Sequence, residues 1–573
     1  MQRLTSYLEQ TVLASLGGKT ATIFQSCLYG LAGGLGAVAF LYLTNLLFAS
    51  TFVPLSGRSL LAFVIGSFAV ITTTSLAAGL LLQRLSPDAA GSGIPQLKVA
   101  FWKDLGCIRW RPTWVKFAAG VLCIGGGQSL GREGPTVYMS GGFASSIAAR
   151  LRIPRQRRRS AAAMGAAAGL SAAFNTPLAA ITFVLEEVVG DLNSRFLGSV
   201  LLSSVLGAFV VYSLVGRQPA FPMPAVEAVS WTAYLAVPVV ACAAAAAGLV
   251  FQRTVLRFRG RIRRLRLPGW LKPCVGGWIA WALGCAAFAA TGKLGVFGLG
   301  YEDLSHALRD GVEWKIAATL VVFKLAASTA CYAWGGCGGI FAPSLFIGGM
   351  TGMCAGGLLG GWLSLDAHES VLLAGVGMSA CFGALVRAPL TAILMIFEMT
   401  HQFAMLPALM LGVLISQALA RRLGAMNFYD AILDQDGHEL VKIRPPRDME
   451  SWQNLPVATI ANPRPIVLRS LAPEDVRAVL DRYPYQRFPV VDQMGRVRGV
   501  ATRAALVAAR AAGREPELEA AIVCSRERSI KEASARIIDS VSNIVVVEDP
   551  ESGAVAGVLT VHDLMRAQAS LTD

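Results

Sequence analysis

The feature that most constrains the fold is a series of apolar stretches, each long enough to approach or span a lipid bilayer, which recur from about Thr22 to Leu419. Two examples are LLAFVIGSFAVITTTSLAAGLLL and AYLAVPVVACAAAAAGLVF, close to the roughly 20 apolar residues that a transmembrane helix needs. Only 15% of the residues are charged, against about a quarter in soluble domains. A soluble core would not need so many consecutive spans, so the sequence predicts a polytopic α-helical membrane protein.

The basic residues predict how the chain is oriented. The net charge of +15 is densest in two short connections between apolar segments, RLRIPRQRRRS from Arg150 and RTVLRFRGRIRRLRLP from Arg253. Basic loops stay on the cytoplasmic side beside anionic lipid headgroups, so this charge indicates topology and lipid contact rather than nucleic-acid binding. Residues 1–20 lack the apolar core of a signal peptide. We expect a multi-pass protein of the cell membrane, most simply a bacterial inner membrane, with both termini in the cytoplasm.

The composition changes after about Asn427, where the long apolar runs end. Residues 431–454 are predicted to be a polar linker. Two similar units follow at 455–511 and 517–570, each with the pattern of a β-strand, an acidic turn, a second strand and a helix. This repeat resembles a tandem pair of cystathionine-β-synthase (CBS) domains, which implies a soluble α/β module in the cytoplasm.

The membrane part contains a weak internal repeat, predicted at residues 21–230 and 231–430. A glycine-rich break, GREGP, begins at Gly131, and a second, GIFAP, begins at Gly339, at nearly the same distance from the start of each half. Interruptions at matching places in two halves indicate broken helices that meet at a binding site near the membrane midplane.

These breaks have the composition of helix N-termini that face an anion. Three of them, GSGIPQ from Gly91, GREGPT from Gly131 and GGIFAPS from Gly338, place glycine and proline directly before an apolar run. The first N–H groups of a helix lack intrahelical partners and carry partial positive charge, which is costly in hydrocarbon unless a ligand accepts them. Glycine allows close approach, and proline removes a donor that would be unpaired. The pattern favours a dehydrated monovalent anion at the membrane centre.

The order of these motifs, followed by VRAPLTAILMIFEMT and NFYDAIL, resembles the CLC family of chloride channels and chloride/proton exchangers over about residues 20–435. A CBS pair is a common tail in that family. The resemblance implies two inverted-topology repeats with broken re-entrant helices, a homodimer, chloride as the substrate and no required cofactor. It implies a selectivity filter made of Gly91, Ser92, Gly93, Ile94, Pro95, Gly131, Arg132, Glu133, Gly134, Pro135, Gly339, Ile340, Phe341, Ala342 and Pro343.

Four residues match the family's anion-coordinating positions. Ser92 and Tyr429 would offer hydroxyl groups, and Ile340 and Phe341 would offer backbone N–H groups. From the residues alone, Ser92 is also compatible with an ordinary helix N-cap, and Tyr429 with an interfacial anchor. A serine at this place resembles the chloride-preferring members of the family.

Two glutamates match positions that move protons. Glu133 resembles the gating glutamate, whose carboxylate competes with chloride and whose protonation removes that competition, so it would be both gate and proton carrier. Arg132 would keep the local field positive or would be an outward-facing structural charge. Glu187, in FVLEEVVGDL, matches the internal proton-transfer glutamate of exchangers. The alternative is that Glu186 and Glu187 lie at a solvated helix end, although neighbours about 100° apart cannot both face one pathway.

In the tail, Thr560 and Asp563 have the spacing with which CBS pairs hold a nucleotide ribose, whereas the first unit has Ala505 where the acid would be. The tail therefore either binds an adenine nucleotide or serves only as a dimerising structure. The sequence leaves these two interpretations open.

The sequence thus predicts chloride transport, with a chloride/proton antiporter gated by Glu133 as the first interpretation and a passive gated channel of the same fold as the alternative. A fluoride exporter is disfavoured by the GSGIP serine, and a CBS-containing magnesium transporter by the lack of an acidic cluster in the spans. No nucleophile motif indicates an enzyme, and the 11 cysteines have no spacing typical of disulfides or a metal site.

Overall fold

The chain divides into two compact units, residues 1–443 and 444–573. Most of the predicted N-terminal segment and of the predicted linker lies outside the described residues, so both stay predictions. The computed structural model describes residues 18–192, 196–224, 230–363, 365–424, 426–438, 455–538 and 542–570.

The first half of the membrane unit is helical and mixes long spans with short helices. The long helices follow the apolar runs, and the short ones follow the glycine-rich breaks. The last short helix, α7, continues into a π-helical turn at Val184–Val189. The helices are α1 (Gly18–Ser56), α2 (Leu60–Leu85), α3 (Ile94–Trp102), α4 (Trp110–Gly125), α5 (Glu133–Arg150), α6 (Arg158–Phe174), α7 (Pro177–Phe183) and α8 (Leu197–Leu214).

The second half repeats this mixture. Within the described residues of the unit, nine helices are long and apolar enough to cross a membrane, which confirms the predicted polytopic fold. The helices of this half are α9 (Trp231–Arg263), α10 (Lys272–Thr291), α11 (Tyr301–Asp310), α12 (Trp314–Ala333), α13 (Phe341–Leu363), α14 (Ala367–Val386), α15 (Pro389–Thr400), α16 (Leu406–Arg422) and α17 (Phe428–Gln435).

Three helices begin at the predicted breaks. α3 begins at Ile94, directly after a glycine, whereas α5 at Glu133 and α13 at Phe341 each begin two residues after one, and all three have proline in the first turn. The broken helices expected from the sequence are therefore confirmed, because proline favours the first turn of a helix and glycine the preceding turn.

The core of the membrane unit depends on helices that approach each other closely. A Cβ atom built on Gly348 of α13 would lie 2.3 Å from the carbonyl oxygen of Gly377 of α14, and one on Gly377 would lie 2.2 Å from that of Gly348. The matching pair in the first half, α5 and α6, has the same kind of contact, since a Cβ on Gly165 would lie 2.4 Å from the Ser140 carbonyl oxygen. Small residues permit this backbone contact, which drives helix association in membranes by van der Waals packing.

The two halves also cap each other's helices. Glu186, in the π-helical turn after α7, accepts hydrogen bonds from the N–H groups of Leu390 and Thr391 at the start of α15, at 3.2 and 2.9 Å. Glu398, on α15, accepts two N–H hydrogen bonds from the start of α7, at 3.0 and 2.7 Å. Carboxylates satisfy unpaired N–H groups and suit the positive end of a helix. This reciprocal pair is the arrangement expected of two inverted repeats.

The C-terminal unit contains two small sheets and confirms the predicted α/β tail. β1 pairs antiparallel with β2, while β4 lies between β3, to which it is parallel, and β5, to which it is antiparallel. Both predicted units thus contain a strand, a turn, a second strand and a helix. The elements are α18 (Pro473–Arg482), β1 (Arg487–Val491), β2 (Val497–Thr502), α19 (Arg503–Ala512), β3 (Ile522–Ser525), α20 (Ile530–Ile538), β4 (Ile544–Glu548), β5 (Val555–Thr560) and α21 (Val561–Ser570).

The segment before each sheet of this unit contributes to the other sheet. Val457 lies in the same apolar cluster as Val545 of β4, and Glu519 forms an antiparallel bridge with Val500 of β2. The two strand–strand–helix units therefore interlock, and the domain boundaries proposed from the sequence stay predictions.

Candidate functional site

The three glycine-rich breaks meet at one place in the membrane unit. Gly131 and Gly339 form an antiparallel bridge, in which each N–H donates to the other residue's carbonyl oxygen, at 2.7 and 2.6 Å. The third break touches both, because a Cβ atom on Gly134 would lie 2.3 Å from Ser92 Oγ and one on Gly339 would lie 3.5 Å from the same oxygen. The starts of α3, α5 and α13 therefore surround one small volume, and glycine is needed at Gly134 to let the chains pass.

Among the six buried hydroxyl groups that have no hydrogen-bond partner within the described residues are two of the predicted anion ligands. They are Ser92 Oγ and Tyr429 Oη, on side chains that are 1% and 0% exposed. Tyr429 belongs to α17, which packs against α3. A buried hydroxyl without an acceptor costs about 1–3 kcal/mol, and chloride accepts hydrogen bonds from hydroxyl groups, so these residues fit the anion that the sequence predicts as substrate.

The alternative interpretations of these two residues receive no geometric support. The N-cap of α3 is Gly93 rather than Ser92, so the serine hydroxyl does not cap the helix. Tyr429 is fully buried, whereas an interfacial anchor would have its hydroxyl in the headgroup region. Their role as anion ligands stays a prediction, with the unpaired hydroxyls as its support.

The Glu133 carboxylate lies at the N-terminus of α13. The side chain is fully buried, Oε1 accepts a hydrogen bond from the Tyr301 hydroxyl at 2.7 Å and Oε2 accepts one from the Ala342 N–H at 3.3 Å. Ala342 is in the first turn of α13, where N–H groups lack intrahelical partners. A negatively charged side chain thus occupies a place suited to an anion. Ile340 and Phe341, predicted as N–H donors, are also buried at this helix start, and their role stays a prediction.

Arg132 faces inward. Its side chain is 7% exposed, Nη2 donates to the Ala173 carbonyl oxygen at 3.1 Å and the guanidinium lies 5.5 Å from the centre of the Tyr301 ring. The structure thus places this positive charge beside the tyrosine that holds Glu133. The geometry favours the interpretation in which Arg132 contributes to a positive field over that of an outward-facing structural charge.

Two open cavities approach this centre. One, of about 520 Å³, is lined by Arg132 and Tyr301, next to Glu133. The other, of about 1100 Å³, reaches Ser92. Positively lined clefts raise the local concentration of anions, so the second cavity is suited to attract chloride. Its lining contains three carboxylates, Asp88, Asp104 and Asp436, and a larger number of cations, which are Lys103, Arg109, Arg155, Arg158, Arg259, Arg263 and Lys272.

Glu187 lies in the π-helical turn after α7 and is 3% exposed. Oε1 accepts a hydrogen bond from Lys98 Nζ at 2.7 Å, and Oε2 accepts one from Asn427 Nδ2, also at 2.7 Å. Lys98 Nζ also donates to Asp430 Oδ1 at 2.6 Å. Glu187 is therefore not at a solvated helix end, and Glu186 turns away from it to cap α15. The proton-transfer role of Glu187 stays a prediction.

Sequence reasoning missed four residues around the two glutamates, one of which is Asn427, the amide donor to Glu187. Tyr301, Lys98 and Asp430 make direct contact with Glu133 or with the Glu187 ion pair. A usable signal existed for Lys98, because it is a cation in the apolar helix IPQLKVAFW and an intramembrane charge needs a partner. The contacts that Tyr301 and Asp430 make with their partners could not be predicted from the local sequence.

Thr560 and Asp563 belong to the C-terminal unit and hydrogen-bond to each other. Thr560 Oγ1 and its N–H both donate to Asp563 Oδ2, at 2.7 and 3.0 Å, and the Asp563 N–H lies 3.3 Å from Thr560 Oγ1. This is the geometry of a reciprocal cap at the start of α21. Capping accounts for both residues, and ribose binding stays a prediction.

Comparison with known proteins adds two family matches. A family model described as voltage gated chloride channel matches residues 74–421, which is more than half of the chain. A second model, described as CBS domain, matches residues 519–570. The first match includes the breaks that hold Ser92, Glu133 and Phe341.

The alignments with individual relatives cover most of the length of each relative. A ClcB-like protein of Ralstonia nicotianae, which carries a chloride channel name, is 32% identical over 380 residues, 66% of this chain and 87% of that protein. The H(+)/Cl(-) exchange transporter ClcA of Vibrio cholerae serotype O1 is 29% identical over 426 residues, 72% of this chain and 89% of that protein. Among solved structures, a slow cyanobacterial Cl-/H+ antiporter matches with a TM-score of 0.65 and 24% identity over 74% of this chain and 99% of that chain, which establishes a common fold.

Proposed function

The chain belongs to the voltage-gated chloride channel family, and from this premise we propose that it is a chloride/proton antiporter in which Glu133 is the gate. The single observation that carries the proposal is the hydrogen bond that the Glu133 carboxylate accepts from the Ala342 N–H, at the start of α13. The unpaired hydroxyls of Ser92 and Tyr429 provide a second place for an anion next to it.

Competition between Glu133 and chloride is the basis of the gate. The ionised carboxylate and chloride need the same donors at the α13 N-terminus, so only one of them can occupy that place at a time. A proton on Glu133 removes its charge and with it the attraction to the positive end of the helix. The side chain can then leave towards the cavity lined by Arg132 and Tyr301, and chloride takes its place. One proton on Glu133 is in this way linked to the movement of chloride.

The proton route on the other side is assigned to Glu187. This residue is buried and lies among polar partners, as expected for a relay residue in a transporter, where intramembrane ionisable groups mark proton pathways. The exchange function named for the Vibrio cholerae relative supports antiport. The channel name of the Ralstonia nicotianae relative supports the alternative, a passive gated chloride channel, which would have the same anion site without proton movement.

The proposal includes the setting of the molecule. We place the chain in a cell membrane, as in a bacterial inner membrane, with both termini cytoplasmic because the basic connections would lie on that side. We assign it as a homodimer with a complete chloride pathway in each subunit and no required cofactor. It is a transporter rather than an enzyme. The C-terminal unit is a CBS-type tail, which either binds an adenine nucleotide or dimerises.

The test uses the full-length protein in liposomes with a chloride gradient directed outward and the voltage clamped with valinomycin. An antiporter takes protons up while chloride leaves, even with no initial pH gradient, and this uptake is the expected result. Free chloride movement without any proton uptake would contradict antiport and support the channel. Absence of chloride movement from a correctly folded protein would contradict both.

A further inference from the structure

A buried ionic cluster links the predicted proton site to the surface of the membrane unit. Lys98 Nζ lies 2.7 Å from Glu187 Oε1 and 2.6 Å from Asp430 Oδ1. The Lys98 and Glu187 side chains are 1% and 4% exposed, whereas the Asp430 side chain is 32% exposed. Together with Asn427, these residues are called the Lys98 cluster below. One ammonium group is thus shared between a buried carboxylate and a partly exposed one.

The donors around Glu187 favour its ionised form. Both carboxylate oxygens accept hydrogen bonds, one from the Lys98 ammonium and one from the Asn427 amide. A protonated carboxyl group would have to donate, yet these two partners offer donors rather than acceptors. A nearby opposite charge also favours the charged form of a carboxyl group. Uptake of a proton by Glu187 therefore competes with its ion pair with Lys98.

The other polar groups near this turn do not replace Lys98. Glu186, the neighbouring carboxylate, is bound to the start of α15. On α3, Trp102 donates its indole N–H to the Val188 carbonyl oxygen at 2.9 Å, and on α6 Arg159 donates to the Trp102 carbonyl oxygen at 2.9 Å. On α17, Tyr429 is an uncharged phenol beside Asp430. Lys98 is the cation in direct contact with Glu187.

The two helices that supply the cluster also supply the unpaired hydroxyls. α3 carries Lys98 and begins two residues after Ser92, while α17 carries Asp430 directly after Tyr429. A shift of Lys98 between its two carboxylates would therefore act on the same short helices that hold the proposed anion ligands. This places the cluster where proton uptake and anion binding can influence each other.

We propose that Lys98 is a positioning residue whose ammonium group moves its interaction from Glu187 to Asp430 when Glu187 takes up a proton, and that it thereby sets the pH at which protons enter the transport cycle. This role presupposes the antiport proposed above. The proton comes from solvent and binds to Glu187 Oε1, Lys98 keeps all its protons, and Asp430 retains the ammonium. Loss of the Lys98 charge makes proton uptake easier, and loss of the Asp430 charge makes it harder.

The experiment measures chloride-driven proton uptake by the full-length protein in liposomes over a series of symmetric pH values. In Lys98→Met, the pH of half-maximal proton uptake is expected to move upward by about one unit or more, and in Asp430→Asn it is expected to move downward. Lys98→Arg keeps the charge and is expected to restore a profile close to wild type. A merely structural role of Lys98 would not produce shifts of opposite sign in two charge variants.

A matched control is another buried lysine of the same unit. Lys324 is fully buried and donates to the carbonyl oxygens of Gly295 and Gly298, each at 2.9 Å. The Lys324→Met variant removes a buried amino group that does not contact Glu187, and it shows whether the loss of any buried lysine, rather than the loss of Lys98, shifts the proton profile. Retained chloride flux, together with elution from gel filtration as a single species, shows that each variant is folded.

The outcomes separate this inference from the function on which it depends. Wild-type protein that moves chloride without protons overturns the antiport itself. Wild-type antiport with unshifted profiles in Lys98→Met and Asp430→Asn, or with shifts of the same sign, overturns the role of Lys98. If Lys98→Met does not fold, the shift of the proton profile in Asp430→Asn alone tests the role of Lys98. Residue 430 is partly exposed, and the asparagine side chain keeps an oxygen acceptor for Lys98.

Discussion

Glu133 and Glu187 are both buried carboxylates of the membrane unit, but different kinds of donor hold them. Glu133 accepts hydrogen bonds from uncharged groups, the Tyr301 hydroxyl and the Ala342 N–H. Glu187 accepts from the Lys98 ammonium and from a side-chain amide. Uncharged donors at a helix N-terminus can serve chloride as well as a carboxylate, whereas an ammonium favours continued ionisation of its partner. The first centre is suited to the exchange of one anion for another, and the second to control of a proton.

The largest effect is expected at the first centre. In Glu133→Gln, proton uptake should fall by about 100-fold or more, because the proton-carrying group is lost, and chloride flux should continue without pH dependence. Paired chloride and proton recordings in liposomes measure both quantities. Glu302→Gln is the control, since Glu302 is an exposed carboxylate that lines the cavity beside Arg132. If chloride flux in Glu133→Gln still depends on pH, another group is the gate.

At the second centre, around Glu187, a substitution should affect proton uptake without affecting chloride flux. Glu187→Gln should lower proton uptake by about tenfold or more and leave chloride flux in place, because the residue is assigned to the proton route alone. The same liposome recordings give the ratio of protons to chloride. A parallel loss of proton uptake and chloride flux would mean that Glu187 supports the fold rather than the proton route. The division of roles between Glu133 and Glu187 would then be wrong.

A smaller effect is expected for the unpaired hydroxyl of Ser92, which lies just before α3. Ser92→Ala should raise the dissociation constant for chloride by about 10- to 150-fold, since a hydrogen bond to a charged group contributes about 1.5–3 kcal/mol. Calorimetric titration of the purified protein with chloride measures the constant. Ser416→Ala is a matched control, because this buried serine donates to the Val413 carbonyl oxygen on its own helix. Equal affinities in wild type and Ser92→Ala would remove Ser92 from the anion site.

The smallest effect concerns Glu186, the sequence neighbour of Glu187. Glu186→Gln weakens the cap on α15 and should destabilise the protein by about 1 kcal/mol while proton coupling is retained. Thermal unfolding in detergent measures the loss, and Glu398→Gln should give a similar one because Glu398 caps α7 in the same way. Lost coupling with unchanged stability in Glu186→Gln would exchange the roles assigned to the two adjacent glutamates.

Much of the membrane fold followed from local sequence. The starts of α3, α5 and α13 are set by glycine and proline next to an apolar run, and these are local rules of helix termination. The same rules identified Glu133 as a carboxylate among helix N-termini. The rule that adjacent helical residues diverge also predicted that Glu186 and Glu187 face different ways, although it could not tell which of them is buried.

Which residues pair around the two glutamates could not be predicted, because the partners are distant along the chain. Tyr301 is 168 residues from Glu133, and Asp430 is 332 residues from Lys98. Such pairs depend on how the helices of the two halves pack, and one sequence contains no signal for that packing. In the tail, the spacing of Thr560 and Asp563 predicted a ribose site but is equally the spacing of a helix cap. One local pattern there is compatible with two physical roles, of which the cap is the one observed.

The central claim, that Glu133 occupies an anion site, is tested most directly by anomalous diffraction from crystals grown in bromide. Wild-type protein should show bromide near Ser92 and Tyr429 and no peak at the Ala342 N–H, where the carboxylate lies. Glu133→Gln should gain a second bromide at that N–H, because the uncharged side chain no longer competes for it. The same bromide pattern in both proteins would contradict the account.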